Sequence, residues 1–169
     1  MKYIIFLISI LLGTTSLFSQ TPKNKDVSTF YFIRHAEKDR SDSQNKNPHL
    51  NNNGQLRAQN WNAILSAVNF DAVYSTNYNR TKETAQPTAT RNTLALTLYD
   101  PNKIDAVHFM AQNKGKTVLI VGHSNTTPTF VNAILGANTF KMMSDTDNGN
   151  LYIITIIDDK KSVQLLHIN

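Results

Sequence analysis

The sequence predicts an α/β fold: a three-layer αβα sandwich in which helices cover both faces of a mostly parallel sheet. Residues 30–33 and 118–121 are unbroken apolar runs of the length that buried strands have. Segments with helical spacing alternate with such runs along the chain, which is typical of a largely parallel sheet. A length of 169 residues with 40% hydrophobic content suits one domain with a proper core.

The first strand is predicted at residues 29–33 because of this apolar run. A polar loop then leads to a helix over about residues 53–68, and residues 72–74 are predicted to form the second strand. The apolar side chains of that helix recur at helical spacing and are expected to face the core: Leu56, Trp61, Ile64, Leu65 and Val68.

A helical stretch that begins at Asn79 is expected to be interrupted by Pro87, since proline lacks a backbone N–H. A β-like run follows at residues 94–99. Asp100 and Pro101 then form a typical helix start, because aspartate caps helices and proline fits the first turn. Three apolar residues of this helix are expected to face inward: Ile104, Val107 and Ala111.

The last third of the chain continues the alternation. A further buried strand is predicted at residues 117–121, and a helix is predicted to open at Thr127 and to end at Gly136. Residues 151–157 and 163–168 close the chain as two strands joined by a turn.

The N-terminus has the organisation of a secretory signal peptide. Lys2 precedes an apolar stretch at residues 3–12, and residues 13–20 are small and polar. The apolar stretch is shorter than the roughly 20 residues that a transmembrane helix needs. We therefore expect residues 1–20 to be cleaved, which leaves residues 21–169 as a single periplasmic or secreted domain without a stable membrane anchor.

Charge and cysteine content narrow the classes of function. The formal net charge is +5, which favours anionic substrates. Lysine and arginine are scattered and are not interleaved with aromatic residues, so a nucleic-acid partner is not expected. The chain has no cysteine, which excludes disulfides, thiolate metal sites and cysteine nucleophiles. The sequence does not indicate an oligomeric state.

Two histidines directly follow the two most apolar strands: His35 comes after Arg34, and His123 comes after residues 118–122. Ligands of α/β proteins bind at the carboxyl ends of strands, so the two histidines are expected to converge on one substrate. An imidazole can attack phosphorus and form a phosphohistidine. The guanidinium groups of Arg34 and Arg80 are suited to hold and neutralise the transferred phosphoryl group. His123 opens a helix, where free amides favour an anion.

Four blocks of the sequence stand in order along the chain: Ile33-Arg34-His35-Ala36-Glu37-Lys38; Leu50, Gly54, Arg57 and Ala58; Tyr74-Ser75-Thr76, Arg80, Thr84 and Ala85; and Val121-Gly122-His123-Ser124-Asn125-Thr126. In these blocks the chain resembles the histidine phosphatase superfamily, also called phosphoglycerate mutase-like, and is similar to its short members without a cap insertion. The resemblance implies that His35 is the phosphorylated nucleophile and that Arg34, Arg80 and His123 complete the phosphate pocket. It implies no metal and no organic cofactor.

The group that protonates the leaving oxygen has three candidates. Family members with a clear donor place a glutamate after the second arginine, and this chain has none after Glu83. Asp100 is the first candidate, although an aspartate before proline also serves as a helix cap. Asp105 and Glu37 are the alternatives. Ser124 is a candidate for substrate binding, although it can also cap the helix that follows it.

The remaining histidines, His49, His108 and His167, match none of the four blocks, and their spacing does not indicate a metal site. The sequence therefore predicts a metal-independent phosphatase that hydrolyses a phosphorylated small molecule, a phosphomonoester, through a phosphohistidine on His35. Two alternatives stay open: a protein phosphatase that acts on phosphohistidine, a phosphoramidate, and a non-catalytic module that binds phosphate.

Overall fold

The computed structural model describes residues 26–168, so the signal peptide predicted at residues 1–20 lies outside the described part of the chain. Within residues 26–168, no helix is both long enough and apolar enough to cross a membrane. The elements in chain order are β1 (Val27–Arg34), α1 (Asn52–Ile64), β2 (Ala72–Thr76), α2 (Asn79–Arg91), β3 (Leu96–Tyr99), α3 (Ala106–Gln112), β4 (Thr117–Gly122), α4 (Thr126–Leu135), β5 (Asn150–Ile157) and β6 (Lys160–His167).

The six strands form one sheet in the order β3-β2-β4-β1-β5-β6. The first four strands of the chain are parallel, whereas β5 runs antiparallel to β1 and β6 runs antiparallel to β5. The predicted α/β fold is confirmed, with an antiparallel pair at one edge. Because β1 and β4 are neighbours near the middle of the sheet, their carboxyl ends lie side by side.

Helices cover both faces of the sheet because alternate side chains of a strand point to opposite faces. Phe30, Phe32 and Ile120 pack with α3 and α4 in one core cluster. Ile33 and Val121 pack on the other face, in a cluster that includes Trp61 of α1 and Ala85 of α2. Both central strands are therefore buried on two sides, which explains why their sequences are apolar throughout.

The predicted inward face of α1 is partly wrong. Leu56 is 65% exposed and Ile64 is 47% exposed, whereas Trp61 and Leu65 are buried as predicted. The face that packs inward begins with Gly54, because a Cβ there would lie 2.1 Å from the carbonyl oxygen of Glu37. Close approach to the loop after β1, rather than apolar content alone, sets the rotation of this helix.

Pro87 does not interrupt α2, which is continuous from Asn79 to Arg91. Proline at this position removes one backbone donor, but the surrounding turns are held by buried contacts. Thr84, Ala85, Thr88 and Ala89 are all buried. The packing of this face offsets the lost hydrogen bond, so the predicted break is wrong.

The helix predicted to start at Asp100 and Pro101 starts instead at Ala106. The carboxylate of Asp105 accepts a hydrogen bond from the His108 amide at 2.9 Å and caps α3. Two of the three predicted inward positions are also wrong, since Val107 and Ala111 are exposed, whereas Ile104 is partly buried and packs against the core as predicted. Phe109 is the buried residue of α3 and joins the core, and Pro101 lies in a turn.

Candidate active site

His35 and His123 lie next to each other because β1 and β4 are in register. Arg34 pairs with Gly122, and the His35 amide donates to the Gly122 carbonyl at 2.9 Å. The two imidazole rings are 5.5 Å apart between centroids, at 67° to each other. They border a cavity of about 300 Å³ lined by Arg34, His35, Lys38, Tyr78, Arg80, Pro101, Asn102, His123, Ser124, Asn125, Thr126 and Asp145.

The His35 ring is held so that one nitrogen stays free. Nδ1 lies 2.7 Å from the carbonyl oxygen of Ala36, which can only accept, so Nδ1 carries the proton. Nε2 then has its lone pair available. Burial lowers the pKa of His35 to about 3, and the neighbouring charge of Arg34 also lowers it, so the ring is neutral near pH 7. A neutral imidazole with a free nitrogen is the form that a nucleophile needs.

The His123 ring has a side-chain partner at each nitrogen. Nε2 lies 2.9 Å from the Thr76 hydroxyl, and Nδ1 lies 3.5 Å from Nη2 of Arg80. Because a guanidinium only donates, Nδ1 accepts and Nε2–H donates to Thr76. Burial and the charges of Arg80 and Arg34 lower the pKa of His123 to about 4. The ring of Tyr78 packs edge-on against it at 5.1 Å.

Arg80 lies at the start of α2, and its guanidinium group has hydrogen-bond donors available for a ligand. Its guanidinium carbon lies 4.5 Å from the ring centroid of Tyr78, which fixes the plane of the group. Nε and Nη1 are buried and make no hydrogen bond to any residue between 26 and 168. Buried donors of this kind are costly unless an acceptor satisfies them, and an oxyanion in the cavity would do so.

Arg34 is clamped by the loop between α4 and β5. Its Nη1 donates to the carbonyl oxygens of Ser144 and Asp147, each at 2.8 Å, and its Nη2 donates to the Asp145 carboxylate at 2.9 Å. The side chain is only 2% exposed. Burial lowers its pKa, and the Asp145 carboxylate opposes that shift. The clamp fixes a cation directly beside the His35 ring.

The electrostatics of the cavity favour an anion. Arg34, Lys38 and Arg80 line it, and Asp145 is the one carboxylate on its wall within residues 26–168. Helix α4 starts at this wall, which adds the positive end of a helix dipole. A phosphate group would therefore meet three cations and two neutral imidazoles. Across residues 26–168, no three histidine or acidic side chains are arranged to hold a metal ion.

A family model of the histidine phosphatase superfamily (branch 1) matches residues 30–101. This segment runs from β1 past β3 and contains Arg34, His35 and Arg80. Over these residues the chain is similar to the histidine phosphatase superfamily. No curated protein sequence matches the chain at a significant level.

Several solved structures share the fold of this chain. The protein histidine phosphatase SixA complexed with tungstate has a TM-score of 0.65 at 14% identity, over 82% of this chain and 96% of its own. Phosphoserine phosphatase from Entamoeba histolytica has a TM-score of 0.63 at 14% identity, covering 80% and 94%. Phosphoglycerate mutase from Bacillus anthracis has a TM-score of 0.62 at 17% identity, covering 84% and 93%. At such identities the similarity establishes the shared fold.

Five of the predicted site residues border one cavity: Arg34, His35, Arg80, His123 and Ser124. Asp100 does not join them. Its carboxylate accepts from the Asn102 amide at 2.9 Å, lies 3.9 Å from the Lys103 ammonium and borders a separate cavity beside β3. Asp105 caps α3 on that same side.

Glu37, the third predicted proton donor, is tied to α1. Its carboxylate accepts from Nε of Arg57 at 2.7 Å and borders an adjoining cavity, not the one that both histidines share. The geometry therefore gives no support to any of the three predicted donors. Asp145, which the sequence did not single out, is the carboxylate beside the histidines.

Thr84 positions the two halves of the site relative to each other. Its hydroxyl accepts from the Ala36 amide at 2.9 Å and donates to the Arg80 carbonyl at 2.7 Å. Asn148 adds a second brace, because its amide donates to the His35 carbonyl at 2.7 Å. Thr84 lies in one of the four sequence blocks that carry the family resemblance, whereas nothing local in the sequence marks Asn148.

Proposed function

We propose that the protein is a metal-independent phosphatase that uses His35 as its nucleophile. Nε2 attacks phosphorus, the P–N bond forms, and the P–O bond breaks, so that the leaving group departs as an oxyanion that takes its proton from solvent. Water then attacks the phosphohistidine, the P–N bond breaks, and phosphate leaves. The observation that carries this proposal is the neutral His35 ring, whose Nδ1–H is held by Ala36 while Nε2 is free beside Arg34 and Arg80.

The cations and His123 would stabilise the charge of the transferred group. Arg80 offers Nε and Nη1 and Arg34 offers Nε, and all three are buried donors that make no hydrogen bond within residues 26–168. A phosphate dianion raises the pKa of a neighbouring imidazole, so His123 would gain a proton and donate it to a phosphate oxygen. Ser124 lies on the same wall and would contact the outer part of the substrate.

The leaving group is the reason to keep a second candidate function. Asp145 is paired with Arg40 and Arg34, and these ion pairs hold the pKa of its carboxyl below the usual range against the opposing effect of desolvation. An ionised carboxylate cannot donate a proton. The site therefore suits weakly basic leaving groups, which include aryl oxides and the imidazole of a phosphohistidine. A protein phosphatase acting on phosphohistidine is the second candidate, and the fold similarity to SixA is consistent with it.

We also propose that the protein acts outside the cytoplasm. The signal peptide predicted at residues 1–20 would export the protein, so the substrate would be met in the periplasm or outside the cell. Export favours a small phosphomonoester over a cytoplasmic signalling protein as the substrate.

The test measures hydrolysis of an aryl phosphate with a chelator present, for the wild type and for His35→Ala. His108→Ala is the matched control, because His108 is an exposed histidine on α3, away from the cavity. We expect chelator-resistant turnover in the wild type and in the control and none in His35→Ala. Turnover that survives in His35→Ala would overturn the proposal.

A phosphoramidate offered beside the aryl phosphate separates the candidates. Faster hydrolysis of the phosphoramidate would favour the phosphohistidine phosphatase. Saturable phosphate binding without turnover of either compound would leave the non-catalytic binding module.

A further inference from the structure

A second cavity adjoins the candidate active site and shares part of its wall. It has a volume of about 410 Å³ and is lined by Arg34, His35, Glu37, Lys38, Arg40, Asn51, Asp145, Thr146 and Asn148. The side chains common to both cavities are Arg34, His35, Lys38 and Asp145. A molecule whose phosphoryl group lies at His35 can therefore extend into the second cavity.

The protein already holds one carboxylate between two guanidinium groups in this second cavity. One oxygen of Asp145 lies 2.9 Å from Nη2 of Arg34, and the other lies 2.8 Å from Nη2 of Arg40. This spacing fits a single planar carboxylate or one face of a phosphate. The two arginines thus form a site for an anionic group, with the carboxylate of Asp145 bound in it.

The Asp145 carboxylate can leave this position while the loop stays in place. Its side chain is 64% exposed, and ion pairs at such exposure are weak. The backbone of the loop is held separately, because Nη1 of Arg34 donates to the carbonyl oxygens of Ser144 and Asp147. A rotation of this one side chain would therefore free Nη2 of Arg34, and it would leave Nη2 of Arg40 with only its 3.3 Å contact to the Asp145 carbonyl oxygen.

Positive charge remains in excess even when a phosphate is bound at His35. Four cationic side chains surround the two cavities: Arg34, Lys38, Arg40 and Arg80. The carboxylate of Asp145 contributes one negative charge among them. Glu37 borders the second cavity but is paired with Arg57. Lys38 makes no ion pair within residues 26–168, and burial together with the charges of Arg40 and Arg80 lowers its pKa. A phosphate dianion and Asp145 together still leave one positive charge unbalanced.

We propose that the second cavity binds another anionic group of the substrate, a carboxylate or a second phosphate, in place of Asp145 between Arg34 and Arg40 and beside Lys38. This inference rests on the proposed function in that the reacting phosphoryl group lies at His35. The substrate class is then a phosphomonoester that carries a further anion a few bonds from the phosphorus.

The test measures binding and needs no turnover. Calorimetric titration of the His35→Ala protein compares methylphosphonate, which has one anionic group, with methylenebisphosphonate and phosphonoacetate, which have two. We expect the compounds with two anionic groups to bind about tenfold or more tightly than methylphosphonate. Preference for the bisphosphonate alone would identify the second group as phosphate, and preference for phosphonoacetate alone would identify it as carboxylate.

Arg40→Gln in the same background should remove that preference, because Arg40 borders only the second cavity. Lys46→Gln is the matched control, since it removes one positive charge from the same loop at an exposed position. Asp145→Asn should tighten binding of the compounds with two anions severalfold, because it removes the competing carboxylate.

Equal affinity for all three compounds, or a preference that survives Arg40→Gln, would overturn the inference. The wild-type hydrolysis assay judges the proposed function separately. A protein with no turnover that still prefers two anionic groups would refute the phosphatase and keep the subsite.

Discussion

His35 and His123 follow neighbouring parallel strands in the same way, yet their rings are held differently. The Nδ1–H of His35 donates a hydrogen bond to the carbonyl oxygen of Ala36, which leaves Nε2 free. His123 has the Thr76 hydroxyl at one nitrogen and the Arg80 guanidinium at the other. Both pKa values are lowered by burial, to about 3 and about 4, so charge does not distinguish the two rings. Hydrogen bonding does.

These different hydrogen bonds assign separate roles to His35 and His123, although both residues follow a buried strand in the sequence. A backbone carbonyl cannot donate, so it holds the His35 tautomer in the form that attacks. The contacts of His123 are with groups that can adjust, and the 3.5 Å contact with Arg80 is long enough to give way to a phosphate oxygen. The four predictions that follow test this division of labour.

The largest effect should come from the two histidine-to-alanine variants compared side by side. His35→Ala should lower kcat/KM by at least about 10⁴-fold, because it removes the nucleophile. His123→Ala should lower it by about 10²- to 10³-fold, the cost of one donor to developing charge.

Rapid acid quench with labelled substrate checks this comparison. Only the His123 variant should still form an acid-labile phosphoenzyme. A phosphoenzyme in His35→Ala would reverse the assignment of the two rings.

Arg80→Lys should have the next largest effect, a loss of about 10²-fold in kcat/KM, since lysine keeps the charge but loses the planar fork. Steady-state kinetics measures it. Lys82→Gln, two residues after Arg80 on α2 and not on the cavity wall, is the control for changes to α2. An Arg80→Lys enzyme with wild-type kinetics would mean that Nε and Nη1 do not contact the phosphate.

The strand ends of the site were predictable because the signal is local. An apolar run followed by Arg34 and His35, and another followed by His123, place these groups at the carboxyl edge of any parallel sheet. The inward face of α1 was not predictable in the same way. It depends on the close approach of Gly54 to the loop after β1, which is a tertiary contact that apolar spacing does not encode.

The carboxylate of the site could not be chosen from the sequence for a related reason. Asp100 lies at an expected strand end, but its side chain folds back onto the Asn102 amide in a local turn. Asp145 reaches the cavity from a loop more than a hundred positions away from Arg34. Such a pairing follows from the route of the chain between α4 and β5, and periodicity carries no information about it.

Thr76→Val tests the Thr76 contact of His123 and should lower kcat/KM by about tenfold, the scale of one lost buried hydrogen bond. Thr76 is fully buried, and valine fills the same space. The Thr81 hydroxyl, 2.9 Å from that of Thr76, keeps the carbonyl oxygens of Thr76 and Tyr78 as acceptors, so the effect should fall on kcat rather than on folding. Thr76→Ser restores the hydroxyl and should recover most of the rate. Thermal unfolding of all three proteins checks their stability. Equal losses of kcat/KM in Thr76→Val and Thr76→Ser would mean that packing at this position, and not the hydroxyl, determines the rate.

The smallest expected effect is an absence of titration in the free protein. Because burial lowers both pKa values, neither His35 nor His123 gains a proton as the pH falls from 8 to 5.5, whereas an unperturbed histidine titrates near 6.5. NMR of the ring protons measures this, with His123→Gln to assign the signals.

Added phosphate should separate the two rings. The dianion raises the pKa of His123, which then titrates within this range as it becomes a donor. A midpoint near 6.5 for His35 in the free protein would mean that its ring is open to solvent. The backbone hydrogen bond to Ala36 would then not be enough to keep Nε2 ready to attack.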